Sequence, residues 1–167
     1  MPTVSETGAW SDVQRVKTFL TNATPGASVA HSYHVEALAI PALRADPAFQ
    51  RFSLVELNEL HHFVAAMGSI HRFEQGDPTA LQSLGLNLAG FLENRQLALR
   101  LAGALPPAVT QNPRVQMMMN LIHQDQQEVE KHLPLLNRVI AMAGVPSPGP
   151  LLVRCPGPSA PQYGWAN

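Results

Sequence analysis

The chain has 167 residues, a length typical of one domain, and its hydrophobic fraction of 46% is enough to build a core. Only 14% of its residues are charged, and the net charge is −1. Nucleic-acid binding needs clustered Lys and Arg, but the eleven basic residues are scattered. We therefore expect no nucleic-acid partner. The single cysteine, Cys155, excludes a disulfide within one chain and any CxxC motif.

The N-terminal residues lack the basic and apolar regions of a signal peptide. No stretch reaches the roughly 18 consecutive apolar residues that a membrane span requires. The sequence thus predicts a cytoplasmic protein without a membrane partner. Because so few residues are charged, part of the surface must be neutral or apolar, which favours a homo-oligomer or a protein partner.

Apolar residues recur at helical spacing along most of the chain, punctuated by Pro, Gly and Asp, whereas strand signals are nearly absent. The spacing predicts a short first helix from about Ser11 to Thr21. A second helix should begin at Thr24-Pro25 and reach about Ala45, with a kink at Pro41, which lacks a backbone donor.

Three further helices follow in the sequence. The capping box from Ser53 to Glu56 predicts the start of the third helix, and Gly76 predicts its end. A fourth, nearly all apolar, should run from Asp77-Pro78 to about Leu105. The last is predicted from Pro113 to about Ala143, with a bend at Pro134.

The predicted architecture is an all-α bundle of four long helices plus a short N-terminal helix, over residues 1–144. Residues 145–167 form a separate C-terminal tail rich in Pro and Gly, with six prolines in 23 residues. This composition predicts extended chain instead of helix. The apolar segment from Pro150 to Val153 could bind the bundle or a protein partner.

Several acids and histidines fall at or near the predicted apolar faces of the helices. A buried ionised carboxylate is costly unless it is paired, hydrogen-bonded or bound to a metal. Carboxylates and imidazoles that converge from facing helices form the di-iron and di-manganese sites of helical bundles. These residues therefore favour, as an alternative function, a metal site with iron or manganese as its metal. Its predicted ligands are Glu36, His71, Glu74, Glu93, His123 and Glu130.

The order of the acids resembles, in part, that of ferritin-like di-iron bundles, which carry Glu, ExxH, Glu and a second ExxH on successive helices. Glu36, Glu59 with His62, and Glu93 correspond to the first three elements. The last helix contains no ExxH, and Glu59 and His62 fall opposite the predicted apolar face of their own helix. The resemblance is therefore one of architecture and implies no family membership.

Helical periodicity also predicts which sides of the second and third helices are buried. The third helix is predicted to turn Leu57 and Val64 inward, which leaves Glu59 outside the core. In the second helix, His31 and His34 lie opposite the apolar stripe, so we expect them at the surface or at a subunit contact.

Three functions stay open at this point. The leading interpretation is a small oligomeric bundle that acts through protein–protein interaction. The first alternative is a carboxylate/His metal-binding bundle with an oxidoreductase or iron-handling role. The second is a binder of an apolar small molecule or haem. The chain has no GxSxG, P-loop or GxGxxG motif, so we predict no particular reaction.

Overall fold

A computed structural model describes residues 4–23 and 25–145, with side chains from residue 8 onward. The described residues form seven helices and no strand, and four of the helices are long: α1, α4, α5 and α7. The predicted all-α class is confirmed. In chain order the helices are α1 (Val4–Asn22), α2 (Gly26–Ala37), α3 (Pro41–Arg44), α4 (Pro47–Glu74), α5 (Ala80–Ala104), α6 (Pro107–Thr110) and α7 (Pro113–Met142).

Two expectations fall outside the described residues, namely the extended tail beyond Val145 and the start signal at Thr24. Among the helices that are described, none is long and apolar enough to cross a membrane.

Two predicted boundaries in the first part of the chain differ from the structure. Helix α1 begins at Val4 and not at Ser11, so it is a long helix. The predicted second helix is interrupted, since α2 ends at Ala37 and α3 begins at Pro41. Ile40 is extended, with φ −89° and ψ 119°, because the proline ring disfavours the helical region for the residue that precedes it.

Helix α4 begins earlier than the capping box predicted. Its N-cap is Asp46, whose carboxylate accepts hydrogen bonds from the amides of Ala48 (2.8 Å) and Phe49 (3.4 Å). Pro47 occupies the first helical position, where its missing amide costs nothing. Ser53 and Glu56 therefore lie inside the helix, and Glu56 is available to the core.

The later boundaries agree closely with the prediction. Gly76, which follows α4, has a φ of +90° that favours glycine. Helix α7 starts at Pro113, with the Asn112 side chain accepting from the Arg114 amide at 2.9 Å, and it continues through Pro134.

The core contains two apolar clusters along the bundle. One is formed by α1 with parts of α4, α5 and α7, and includes Phe19, Ile70, Leu88 and Leu136. The other is formed by α2 and α3 with the remaining parts of α4, α5 and α7; it includes Leu43, Phe49, Phe52, Leu101 and Met118.

Polar residues lie between the two clusters on three of the long helices, namely Glu59 on α4, Arg95 on α5 and Gln126 on α7. All three are buried. Arg95 donates from Nε to both carboxylate oxygens of Glu59 at 3.1 Å, and from Nη2 to Oε2 at 2.6 Å. The Ala27 amide at the start of α2 donates to the same Oε2 at 3.2 Å. One carboxylate therefore connects α2, α4 and α5.

Close approach of α2 to this ion pair requires glycine at position 26. A Cβ at Gly26 would overlap the Arg95 guanidinium. The guanidinium cannot move away without breaking its bonds to Glu59, because both groups are enclosed by the core. Gly68, in the middle of α4, has no neighbouring atom within 4 Å of a built Cβ.

This contrast gives a stability prediction. Gly26→Ala should lower the free energy of unfolding by about 1–3 kcal/mol, because the added methyl overpacks the ion pair. Gly68→Ala should raise it by up to about 1 kcal/mol through helix propensity alone. Urea unfolding monitored by circular dichroism measures both. Equal effects of the two variants would contradict the close contact between Gly26 and Arg95.

Candidate metal site

Three side chains of types that can ligate a metal converge where α2 packs against the first half of α4. His31 and His34 are three residues apart on α2, so they lie on one side of that helix, and Glu56 comes from α4. One ligand atom from each of the three lies within 4.8 Å of the other two. The sequence did not predict that these three side chains lie together.

His34 is held in the orientation of a metal ligand. Its Nε2 lies 2.9 Å from the carbonyl oxygen of Phe49, so Nε2 carries the hydrogen and donates it. Its ring also stacks on the Phe49 ring, with centroids 4.7 Å apart. Burial lowers the pKa of His34 below its ordinary value, which the Phe49 carbonyl only partly offsets. The neutral ring then keeps a lone pair on Nδ1, which is buried without a hydrogen-bond partner among the described residues.

Glu56 is the second buried and unsatisfied group. It is 1% exposed, and neither carboxylate oxygen has a hydrogen-bond partner among the described residues. Burial, and then the negative charge of Glu59 one turn along α4, raise the pKa of Glu56 to about 8. Its Oε2 lies 3.6 Å from Nδ1 of His31. The His31 side chain is 43% exposed, but its Nδ1 atom is buried like the ligand atoms of His34 and Glu56, so only the outer part of the His31 ring reaches solvent.

The geometry suits a transition metal after a small adjustment. Metal–ligand bonds of about 2.1 Å place neighbouring donors roughly 3.0–3.4 Å apart. The His31–Glu56 distance of 3.6 Å is close to that range. The widest separation, up to 4.8 Å, would close with side-chain movements of about an ångström. Two imidazoles with one carboxylate are the ligands of His₂Glu zinc sites and of 2-His-1-carboxylate iron sites.

None of the six ligands predicted from the sequence belongs to this group. Glu36 is half exposed and forms an ion pair with Arg114 of α7. Glu74 accepts hydrogen bonds from Lys17 Nζ (2.7 Å) and Gln14 Nε2 (3.0 Å). These two bonds lower the pKa of Glu74, so it is an ionised partner of α1.

The other four predicted ligands lie on separate parts of the bundle. His71 is exposed and its Nε2 lies 3.1 Å from Nε2 of Gln75. His123 and Glu130 are exposed on α7. Glu93 is partly buried, and burial raises its pKa, an effect that nearby His62 partly offsets. Among the described residues, only His31, His34 and Glu56 form a group of three potential ligands.

The site was missed because two face assignments were wrong. In α4, Leu57 and Val64 are 53% and 60% exposed, whereas Glu56 and Glu59 are each 1% exposed. In α2, His34 is buried and only His31 reaches the surface. The apolar count favoured the wrong side of α4, because the pairing of Glu59 with Arg95 is not visible in the sequence. The HxxH spacing in α2 was the one available signal.

No family model matches the chain, and neither a curated protein nor a solved structure is significantly similar to it. Only the geometry of the site therefore indicates a function.

The raised pKa of Glu56 predicts a pH effect on the metal-free protein. Between about pH 4.5 and 8 the folded protein keeps Glu56 protonated while the unfolded chain ionises it. The stabilisation that results from the raised pKa of Glu56 is therefore fully present below about pH 4.5 and is lost as the pH rises to 8. Relative to Glu56→Gln, the wild type should lose roughly 2–4 kcal/mol over this range.

Urea unfolding in EDTA, at pH 4.5 to 9, measures this difference. Glu130→Gln serves as the control, since Glu130 is exposed, and it should follow the wild-type profile. Parallel profiles for the wild type and Glu56→Gln would show that Glu56 titrates normally.

Proposed function

We propose that this protein binds one divalent transition-metal ion through His31, His34 and Glu56. The main observation behind the proposal is that Nδ1 of His31, Nδ1 of His34 and the Glu56 carboxylate converge, and that none of these atoms has a hydrogen-bond partner among the described residues. Leaving a buried polar group unsatisfied costs about 1–3 kcal/mol. A cation bound at their centre would satisfy all three groups at once.

The charges around the group favour a cation. Arg95 is already neutralised by Glu59, which its guanidinium contacts through two nitrogens. In the part of the chain that the structure describes, Glu56 forms no ion pair with a lysine or arginine, and its carboxylate becomes costly once ionised. A divalent ion would favour the ionised form, because a bound cation lowers the pKa of its ligands.

The chemical types of the three ligands limit which metal ions the site can bind. A His₂Glu set suits Zn²⁺, Fe²⁺ and Mn²⁺, and zinc binds most tightly of these in the usual order of divalent metals. Three protein ligands leave coordination positions open for water or a small ligand, and His31 lies on the solvent side. With iron as the resident metal, the proposed role is that of an oxidoreductase or an iron-handling protein in the cytoplasm.

The competing arrangement is a metal-free contact in which protonated Glu56 donates to His31. Their separation of 3.6 Å is longer than a normal hydrogen bond of this kind. That contact would also leave His34 Nδ1 unsatisfied, whereas a metal ion engages both histidines.

Removal of one ligand tests the proposal. His31→Ala should weaken metal binding about tenfold or more, because it removes one of three protein ligands. Since the His31 side chain is 43% exposed, this variant should fold normally. Calorimetric titration with Zn²⁺, and with Fe²⁺ and Mn²⁺ under anaerobic conditions, measures stoichiometry and affinity.

The matched control is His61→Ala, which removes an exposed histidine of α4. It should bind one ion per chain like the wild type. Absence of stoichiometric binding in the wild type, or unchanged binding in His31→Ala, would overturn the metal proposal.

A second candidate function is self-association through α4. Leu54, Leu57 and Val64 are 61%, 53% and 60% exposed and recur at helical spacing on one side of the helix. His61 lies on the same line, and no charged residue does. A stripe of this kind is self-complementary about a two-fold axis, so a second copy of the chain is its proposed partner.

Introducing charge should break this contact. The double variant Leu57→Lys, Val64→Lys should sediment as a monomer, with the wild type a dimer, because like charges would face each other across the axis. Val35→Lys is the control, since Val35 is a similarly exposed residue (54%) of α2. A monomeric wild type in sedimentation velocity would rule out self-association through this stripe.

A further inference from the structure

Two neighbouring spaces, which we together call the cavity, share no lining residue with the candidate metal site. The outer one is a groove of about 510 Å³ beside α1 and α7, whose walls include Arg15, Phe19, His132 and Leu135. The inner one is a pocket of about 50 Å³ between α1, α4, α5 and α7. Phe19, Ala23 and Glu128 line both parts, so the pocket adjoins the groove.

The inner pocket combines apolar walls with one unused donor. Phe19, Phe63, Phe91 and Val129 supply apolar surface, and Arg95 supplies a guanidinium. Nε and Nη2 of Arg95 are engaged by Glu59. Nη1 is buried and has no hydrogen-bond partner among the described residues. Apolar walls with a few polar groups are typical of a small-molecule site.

The charges of the pocket disfavour an anion. Glu59 neutralises Arg95, so the free Nη1 donor belongs to a pair without net charge. Glu128, at the wall shared with the groove, is held ionised by Lys131, which lowers its pKa. Asp125 is partly buried in the pocket wall. A ligand carboxylate would therefore approach two or three protein carboxyl groups, whereas a neutral oxygen would simply accept from Nη1.

We propose that this cavity binds a neutral, largely apolar molecule that carries a carbonyl oxygen. The carbonyl accepts a hydrogen bond from Arg95 Nη1 in the inner pocket, and the hydrocarbon part lies in the groove against Phe19 and Leu135. The inner volume of about 50 Å³ has room for a carbonyl and a methyl group. A methyl ketone is thus a suitable probe.

This site is independent of the metal proposal and gives a structural basis to the apolar-ligand function that the sequence left open. The competing occupant of the inner pocket is water, which would satisfy Nη1 equally well.

The test uses the full ¹⁵N-labelled chain, titrated in EDTA with 2-hexanone, hexanoate and n-hexane while amide shifts are recorded. 2-Hexanone should give saturable shifts at residues around Phe19, Phe91 and Val129. n-Hexane should bind about threefold to tenfold more weakly because it lacks the acceptor, and hexanoate should bind more weakly still. No saturable shifts would indicate water only, and preference for hexanoate would indicate an anion site; either result overturns the proposal.

A blocking variant locates the site. Ala23→Phe adds a ring at the wall shared by the two parts of the cavity and should abolish 2-hexanone binding. Ala104→Phe, at an exposed position at the end of α5, is the matched control and should bind normally. Thr18→Trp, at an exposed position in the groove wall, provides a second block should Ala23→Phe unfold. Unchanged binding in a folded blocking variant would place the ligand elsewhere and overturn the assignment.

Discussion

The buried ion pair of Glu59 and Arg95 is the interaction on which the rest of the structure depends. Removing two charges from water is expensive, so such a pair is stable only when hydrogen bonds surround it. Here Arg95 donates three hydrogen bonds to the carboxylate and the Ala27 amide donates a fourth. These bonds fix α2, α4 and α5 relative to one another. They also explain the glycine at position 26, where a side chain would displace the guanidinium.

The same pair sets the rotation of α4, and that rotation determines what the helix presents on each side. With Glu59 directed into the core, Glu56 one turn earlier also faces inward and meets His31 and His34. The opposite side then exposes Leu57 and Val64. The candidate metal site and the apolar stripe are thus two consequences of one buried contact.

Arg95 also links the ion pair to the cavity. Its Nε and Nη2 are needed to neutralise Glu59, but Nη1 is not, so one strong donor is left beside Phe19, Phe63 and Phe91. The negative charge of Glu59 acts in the other direction, since it contributes to the raised pKa of Glu56. The proposed metal and ligand sites therefore lie on either side of the same two charges, although each is built from different side chains.

Local signals in the sequence determined the class of fold and most of its boundaries. Gly76, Asn112-Pro113 and the apolar repeat of α7 act through backbone geometry and periodicity, which neighbouring residues specify. Only the tertiary structure decided which side of α2 and α4 is buried, because Glu59 is stabilised by Arg95, 36 residues away in the chain. An amphipathic count assigns such a carboxylate to the surface, and the apolar stripe of α2 placed His34 outward in the same way, although both side chains are buried. Periodicity could therefore not identify the candidate metal ligands, since a partner on another helix outweighs the hydrophobic preference of a single face.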